Sequence, residues 1–249
     1  MSIQLLDVRK AFGEKVVLRG VSLEVREGET VVIIGGSGSG KSVLLKTIVG
    51  LLPPDGGQVL VDGQDVATLR RHELYELRRR VGYVFQFAAL FDSMTVADNV
   101  AMGLRRVPGM SAADIEERVQ ESLRLVDLEG YGERYPAELS GGQRKRAGLA
   151  RAIATRPKYV LYDEPTTGLD PVTTALIDRL ILKLREELGV TSLVITHNLE
   201  SAYRVGDRIA MLHGGVIRFE GSPDDVRQTA DPVVRAFVEG RPELVQEVV

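Results

Sequence analysis

Apolar and polar positions alternate along Ile3–Val8 and again along Val16–Val25, the period-two pattern of strands with one buried face. Thr30–Ile34 is different: a short β-branched run closed by glycine, as in a strand covered on both faces. Tyr159–Tyr162 and Thr191–Thr196 repeat that pattern, and Val81–Phe85 is a further short apolar run after an Arg-rich helical stretch. Helical spacing runs over Lys41–Val49, Ser111–Val126, a segment opening near Ser140, and Pro171–Leu188; Ser111, three residues before Asp114, resembles a capping box. The turn Pro53-Pro54-Asp55-Gly56-Gly57 leads into the strand Gln58–Val61. Ile209–Leu212 and Val216–Phe219 flank Gly214-Gly215 as a hairpin, and Pro223–Val249 reads as a short helical tail. Strands alternating with helices predict a parallel sheet covered on both faces, hence an α/β fold. From about Phe87 to Ile153 strand patterns nearly vanish, which predicts a helical insertion.

Composition narrows the chemistry. In 249 residues there is no cysteine, which removes a disulfide scaffold, a thiolate metal site and a cysteine nucleophile at once. Net charge is −3, so electrostatics give no case for nucleic acid as the partner. The longest stretch without Asp, Glu, Lys or Arg, Leu188–Leu199, falls short of the ~18–20 apolar residues a membrane span needs. The N-terminal residues lack the apolar core of a signal peptide. The expectation is a soluble, intracellular chain.

Gly35-Gly36-Ser37-Gly38-Ser39-Gly40-Lys41-Ser42 fits G-x-x-x-x-G-K-[ST] between a strand and a helix, the context the motif requires. Glycines let backbone N–H groups converge on phosphate oxygens, and the helix N-terminus adds positive potential at the same place. Lys41 brings a point charge to the β- and γ-phosphates, and the Ser42 hydroxyl suits Mg²⁺. Tyr159–Tyr162 ends in Asp163 and Glu164, two carboxylates at the carboxyl edge of a sheet. Asp163 suits Mg²⁺ and Glu164 suits the orientation or deprotonation of an attacking water.

Leu139-Ser140-Gly141-Gly142-Gln143 supplies a second anion nest: a serine at a helix start followed by exposed N–H groups. One nucleotide does not need two. With this pentapeptide ahead of the Asp163–Glu164 strand end, the sequence resembles the nucleotide-binding subunits of ABC transporters along essentially its whole length. The resemblance implies a P-loop NTPase (RecA-like) core with an antiparallel β subdomain and an inserted α-helical subdomain. Residues 1–86 with 157–221 would form the core and β subdomain, 87–156 the helical subdomain, and 222–249 a short helical tail.

The resemblance also implies ATP and Mg²⁺ as cofactors and a head-to-tail homodimer in which Ser140–Gln143 of one subunit meets the γ-phosphate held by the other. It places Phe12 on adenine and Val43 beside the phosphate loop. Gln86 reaches Mg²⁺ and the attacking water, Asp170 crosses the dimer interface, and His197 contacts the γ-phosphate. The departures are mild. Gly36 stands where many relatives have Pro, Val43 where many have Thr, and Thr167 where Ser is common. With Glu164 and His197 both present, two competent sites per homodimer are expected.

Membrane subunits are then required, and in the family they dock just beyond the glutamine, here the segment Gln86–Val96 with Phe87, Leu90 and Phe91. These side chains fit either a docking groove or the interior of the helical subdomain. The run from Phe85 to Val96, with Asp231–Phe237, looks most like the ATPases of MCE-linked (Mla-type) phospholipid transporters. That likeness implies a permease, an MCE-domain partner, and a place on the cytoplasmic face of the inner membrane. A polar amino-acid or other small-solute importer is the alternative. A relative acting on nucleic acid or ribosomes fits a single unit of charge −3 poorly, and a P-loop kinase leaves Leu139–Gln143 unexplained.

Overall fold

The structure, a computed structural model, describes residues 2–241. Its contacts divide the chain into two compact units, the first being the described part of Met1–Leu74 with Leu193–Val249, the second Tyr75–Ser192.

In the first unit, β1 (Ser2–Phe12), β2 (Lys15–Arg26), β4 (Gly56–Val61) and β5 (Gln64–Asp65) form an antiparallel sheet in the order β2-β1-β4-β5. The alternation in the sequence decides which face is covered. Ile3, Leu5, Val8, Leu18, Val21, Leu23 and Val25 are buried, while intervening residues meet solvent. Both strands run longer than their apolar pattern because ladder hydrogen bonds continue through polar positions to the turn at Gly13. β3 (Thr30–Ile34) is buried throughout, as the unbroken β-branched run requires. It lies parallel to β9 (Arg208–His213), from Val31 opposite Arg208 to Ile34 opposite Met211, and the order of strands is β10-β9-β3-β8. Here β10 is Val216–Gly221, antiparallel to β9, and β8 is Thr191–Ile195, which enters this unit at Leu193. The start of β3 is tied to β9 by polar bonds: the Thr30 N–H donates to Asp207 at 2.8 Å and Arg208 pairs with Glu29 at 2.8 Å. Helices α1 (Lys41–Ile48), α7 (Leu199–Val205), α8 (Pro223–Gln228) and α9 (Pro232–Glu239) complete the unit.

The expected single helical tail is thus two short helices. Asp231, whose side chain accepts from the Val233 and Val234 N–H groups, restarts the helix after a break at Thr229–Ala230. The end of the expected tail, residues 242–249 with Leu244, Val245, Val248 and Val249, lies outside the described residues.

In the second unit, β6 (Val81–Val84) and β7 (Tyr159–Asp163) are parallel, with Val81 opposite Tyr159 and Val84 opposite Tyr162. Helix α2 (Arg71–Arg79) leads into β6 from the first unit, and α6 (Pro171–Leu188) precedes β8. Between β6 and β7 lie α3 (Val96–Leu104), α4 (Ala112–Leu125) and α5 (Gly141–Ile153), packed on one another, with no strand in that stretch. The Ser111–Asp114 capping box opens α4 as the sequence predicts. α3 has no counterpart in the sequence expectations, because its Asn and Gly residues weaken the helical pattern. Burial of Val96, Val100 and Leu104 and the Thr95 cap stabilise it instead.

Ile33 is fully buried in β3, two residues before the turn at Gly35. Ile33→Ala is expected to lower unfolding free energy by about 2–5 kcal/mol, read from the midpoint of urea denaturation.

Candidate functional site

In the first unit β3 ends at Ile34 and the chain turns through Gly35–Gly40 into α1. Two glycines are demanded by geometry. Gly35 has φ of +149°, and a Cβ there would stand 2.3 Å from the Leu212 carbonyl oxygen. Gly40 has φ of +105°, and a Cβ would stand 2.9 Å from Val17 Cγ1. Gly40 is also the N-cap of α1, so no side chain caps that helix. Gly36, Ser37 and Gly38 are exposed at the rim, and Val43 is half-buried one turn into the helix. The Lys41 ammonium is buried and donates to the carbonyls of Gly35 at 2.9 Å and Gly36 at 3.1 Å, folding the loop around its own charge.

This loop fits a nucleotide's phosphates. The Ser39 hydroxyl oxygen is buried without a hydrogen-bond partner, and no heavy atom lies within 4 Å of where Cβ atoms of Gly36 and Gly38 would sit. Phe12, at the end of β1, is 47% exposed, with the Lys10 ammonium 5.7 Å from its ring centroid, so it is a presented ring and not a core aromatic. His197 is exposed just past β8. Its neighbour Thr196 donates its N–H to the Ile33 carbonyl at 3.1 Å, and the Thr196 hydroxyl accepts from the Asn198 N–H at 3.0 Å. His197 and the phosphate loop are thereby anchored to the same strand.

In the second unit Asp163 closes β7 and is buried. The Tyr83 hydroxyl donates to its Oδ2 at 3.0 Å, and burial together with the Asp163 charge pushes the phenol above its ordinary range. The hydroxyl therefore stays protonated as a fixed donor. Glu164 is nearly buried, with φ of +50°, a left-handed conformation imposed where the strand breaks into the following turn. Thr167 donates its hydroxyl to Glu164 Oε2 at 3.2 Å and its N–H to the Glu164 carbonyl at 3.3 Å. Gln86 sits in the turn just past β6, half-buried. Its carbonyl accepts from the Lys145 ammonium, which also reaches the Glu164 carbonyl at 3.4 Å. Gln86 and Glu164 are thus brought together by their backbones. Sequence reasoning missed Tyr83 and Lys145, since neither carries a motif of its own, and it named Thr167 only as a departure from the family's usual Ser, not as a partner of Glu164.

Ser140 caps α5: its hydroxyl accepts from the Gln143 N–H at 3.2 Å and the Gln143 amide oxygen accepts from the Ser140 N–H at 2.8 Å. Gly141 has open space around its Cβ position, whereas a Cβ at Gly142 would meet Thr173 Cγ2 at 2.6 Å. The pentapeptide thus presents a helix N-terminus bare on the Gly141 side. Asp170 caps α6, accepting from the N–H groups of Val172 at 2.9 Å and Thr173 at 3.0 Å; the Thr173 hydroxyl beside it holds its carboxyl below the usual range.

Candidate Mg²⁺ ligands Ser42, Gln86 and Asp163 offer only hard oxygens, the donor type that ion takes. Among the described residues no group of three or more His, Cys, Asp or Glu is placed to hold a metal.

A family model described as ABC transporter matches residues 18–167. The probable ribonucleotide transport ATP-binding protein of Mycobacterium leprae is 43% identical over 242 residues, covering 97% of this chain and 70% of that protein. The sulfate/thiosulfate import ATP-binding protein of Caulobacter vibrioides is 45% identical over 243 residues, covering 96% and 69%. The dimeric structure of MJ0796, a bacterial ABC transporter cassette, superposes with a TM-score of 0.81 at 38% identity, covering 89% of this chain and 98% of that one.

Gly35→Ala would drive a methyl group into the Leu212 carbonyl. A loss of about 1–3 kcal/mol of stability by urea denaturation is expected, with an ATP affinity at least about tenfold weaker by equilibrium dialysis.

Proposed function

The chain belongs to the ABC transporter family, and from that premise we propose that it is the ATP-hydrolysing subunit of a membrane transporter whose cargo is phospholipid. It is an ATPase of the P-loop NTPase fold, with antiparallel β and helical subdomains. No helix among its described residues is long and apolar enough to cross a membrane, and in this reading permease subunits provide the path for the cargo.

In this reading the N–H groups of Gly35–Gly40 and the Lys41 ammonium hold the β- and γ-phosphates, and Phe12 stacks on adenine, a contact worth ~1–3 kcal/mol by analogy with base stacking. Ser42, Asp163 and Gln86 would hold Mg²⁺, which when bound would supply positive charge to the phosphate oxygens. Glu164 takes the proton of the attacking water, held in place by Thr167, and His197 donates to a γ-phosphate oxygen. Ser140–Gln143 and Asp170 act on the nucleotide of a second copy, in a head-to-tail homodimer with two competent sites.

The observation that carries the transporter reading is the segment after Gln86. Phe87 is 83% exposed and Phe91 is 52% exposed, so neither belongs to the interior of the helical subdomain. They line no accidental surface. Buried Asn99 holds the loop beneath them by donating to the carbonyls of Phe91, Met94 and Thr95 and accepting from the Phe91 N–H at 2.8 Å. Phe87, Leu90, Pro136 and Arg144 border a groove of about 290 Å³. Rigid, exposed aromatics beside a groove suit a helix of a permease. In this reading the chain sits on the cytoplasmic face of the inner membrane, peripheral through the permease, with an MCE-domain protein in the same assembly.

Phospholipid cargo is supported by the likeness of Phe85–Val96 and Asp231–Phe237 to MCE-linked systems. The 45% identity to a sulfate/thiosulfate import protein supports the second reading, small-solute import. Purification from native membranes with mass spectrometry decides between them: a permease, an MCE-domain protein and bound phospholipid are expected, whereas a solute-binding protein in their place overturns the lipid cargo alone.

Glu164→Gln is expected to lower steady-state hydrolysis by at least about 10²-fold while leaving ATP bound, with a dimer persisting in light scattering when ATP is present. Hydrolysis at the wild-type rate would remove Glu164 from its role.

A further inference from the structure

Helix α5 begins with the Ser140–Gln143 nest, and three of its residues grip the turn that follows β6. Lys145 is buried, and its ammonium donates to the Gln86 carbonyl and, at 3.4 Å, to the Glu164 carbonyl. Gly148 lies where a Cβ would come within 3.1 Å of Ala88 Cβ, so the loop rests directly on the helix backbone. The Arg151 guanidinium donates to the Ala88 carbonyl at 2.6 Å and the Ala89 carbonyl at 2.5 Å.

Ala88 and Ala89 have φ of +60° and +50°, and Glu164 has φ of +50°. Non-glycine residues hold that conformation only where surrounding contacts over-determine it. The carbonyls of such turns also lack ladder partners and need donors when buried. Arg151 supplies those donors at Ala88 and Ala89, and Lys145 adds to the Thr167 N–H at Glu164; burial pushes both cations below their ordinary pKa ranges, while the Glu164 carboxylate favours the charged form of Lys145. Taking a cation out of water is costly, and the cost is offset only by close oxygens. A neutral, apolar residue at position 145 would serve packing more cheaply. The ammonium is spent on two carbonyls that belong to two different functional turns.

We propose that Lys145 is a positioning residue for hydrolysis: by bonding the backbones of Gln86 and Glu164 together, it makes the exposed Phe87–Phe91 segment, the Ser140–Gln143 helix and the Glu164 turn move as one body. The inference rests on the roles given above to Gln86 and Glu164. A partner that shifts Phe87 and Phe91 then shifts Glu164 with them, so hydrolysis responds to docking through an ammonium bonded to two backbone carbonyls.

The test uses the full-length chain and measures kcat, KM for MgATP and thermal midpoint in Lys145→Met, Lys145→Gln and Lys145→Arg, with Glu164→Gln as control. Lys145→Met keeps the length and loses the charge; its kcat is expected to fall at least about tenfold with KM within about twofold of wild type, the pattern of lost positioning and not of lost binding. Lys145→Arg restores donors and is expected within about threefold of the wild-type kcat. Should Lys145→Met fail to fold, Lys145→Gln, whose amide reaches one carbonyl, is expected to show the same kcat-selective loss at an unchanged thermal midpoint. A wild-type kcat in Lys145→Met, a loss confined to KM, or no difference between Lys145→Arg and Lys145→Met overturns the inference. If Glu164→Gln itself hydrolyses ATP normally, the site reading falls and this inference with it; if only the Lys145 variants are normal, the site reading stands.

Discussion

A helix N-terminus that no side chain caps is the constraint on which the first unit is built. Helices α3 through α9 are each capped by the side chain of Thr95, Ser111, Ser140, Asp170, Asn198, Ser222 or Asp231. α1 opens instead on Gly40, whose left-handed backbone offers no cap at all. A helix start without an internal acceptor is one suited to an external anion. Keeping it so has consequences elsewhere: β3 must be buried to hold the loop, the Leu212 carbonyl must approach Gly35 closely, and Lys41 must fold onto the carbonyls of Gly35 and Gly36. The loop is then pre-shaped around one positive charge.

The second unit solves a different problem, how to hold irregular backbone near chemistry. The turns after β6 and β7 contain Ala88, Ala89 and Glu164 in left-handed conformations. Side chains donate to their carbonyls where no ladder does: buried Lys145 to Glu164 and half-buried Arg151 to Ala88 and Ala89, while Asn99 from α3 holds the carbonyls of Phe91, Met94 and Thr95 further along the same loop. Each long polar side chain bonds backbone and not another side chain, which fixes the path of the chain whatever the neighbouring residues are. Exposed Phe87 and Phe91 consequently stand on rigid supports. Tyr83 does for the Asp163 carboxylate what Lys145 does for backbone.

Most elements were legible in the sequence because their causes are local. The β-branched run Thr30–Ile34 and the helix Pro171–Leu188 appear with the bounds the pattern predicts, and Ser111 with Asp114 forms the expected capping box. Strand ends were less legible: β1 and β2 extend past their apolar alternation, since pairing is decided by the partner strand. Helix α3 was invisible because its Asn and Gly residues obey tertiary demands, Asn99 having its amide consumed by a neighbouring loop. Phe87 and Phe91 allowed both a core and a surface reading, and only the packed structure exposes them.

The sequence by itself determined the phosphate loop, the Ser140–Gln143 helix start and the Asp163–Glu164 strand end, because each depends on residues within a few positions of one another. Tertiary structure alone decided the supports. Lys145 meets Gln86 across 59 residues of chain and Tyr83 meets Asp163 across 80. The physical reason is that a motif's chemistry resides in its own side chains and local backbone, whereas a support is defined by whichever carbonyl or carboxylate the fold carries to it.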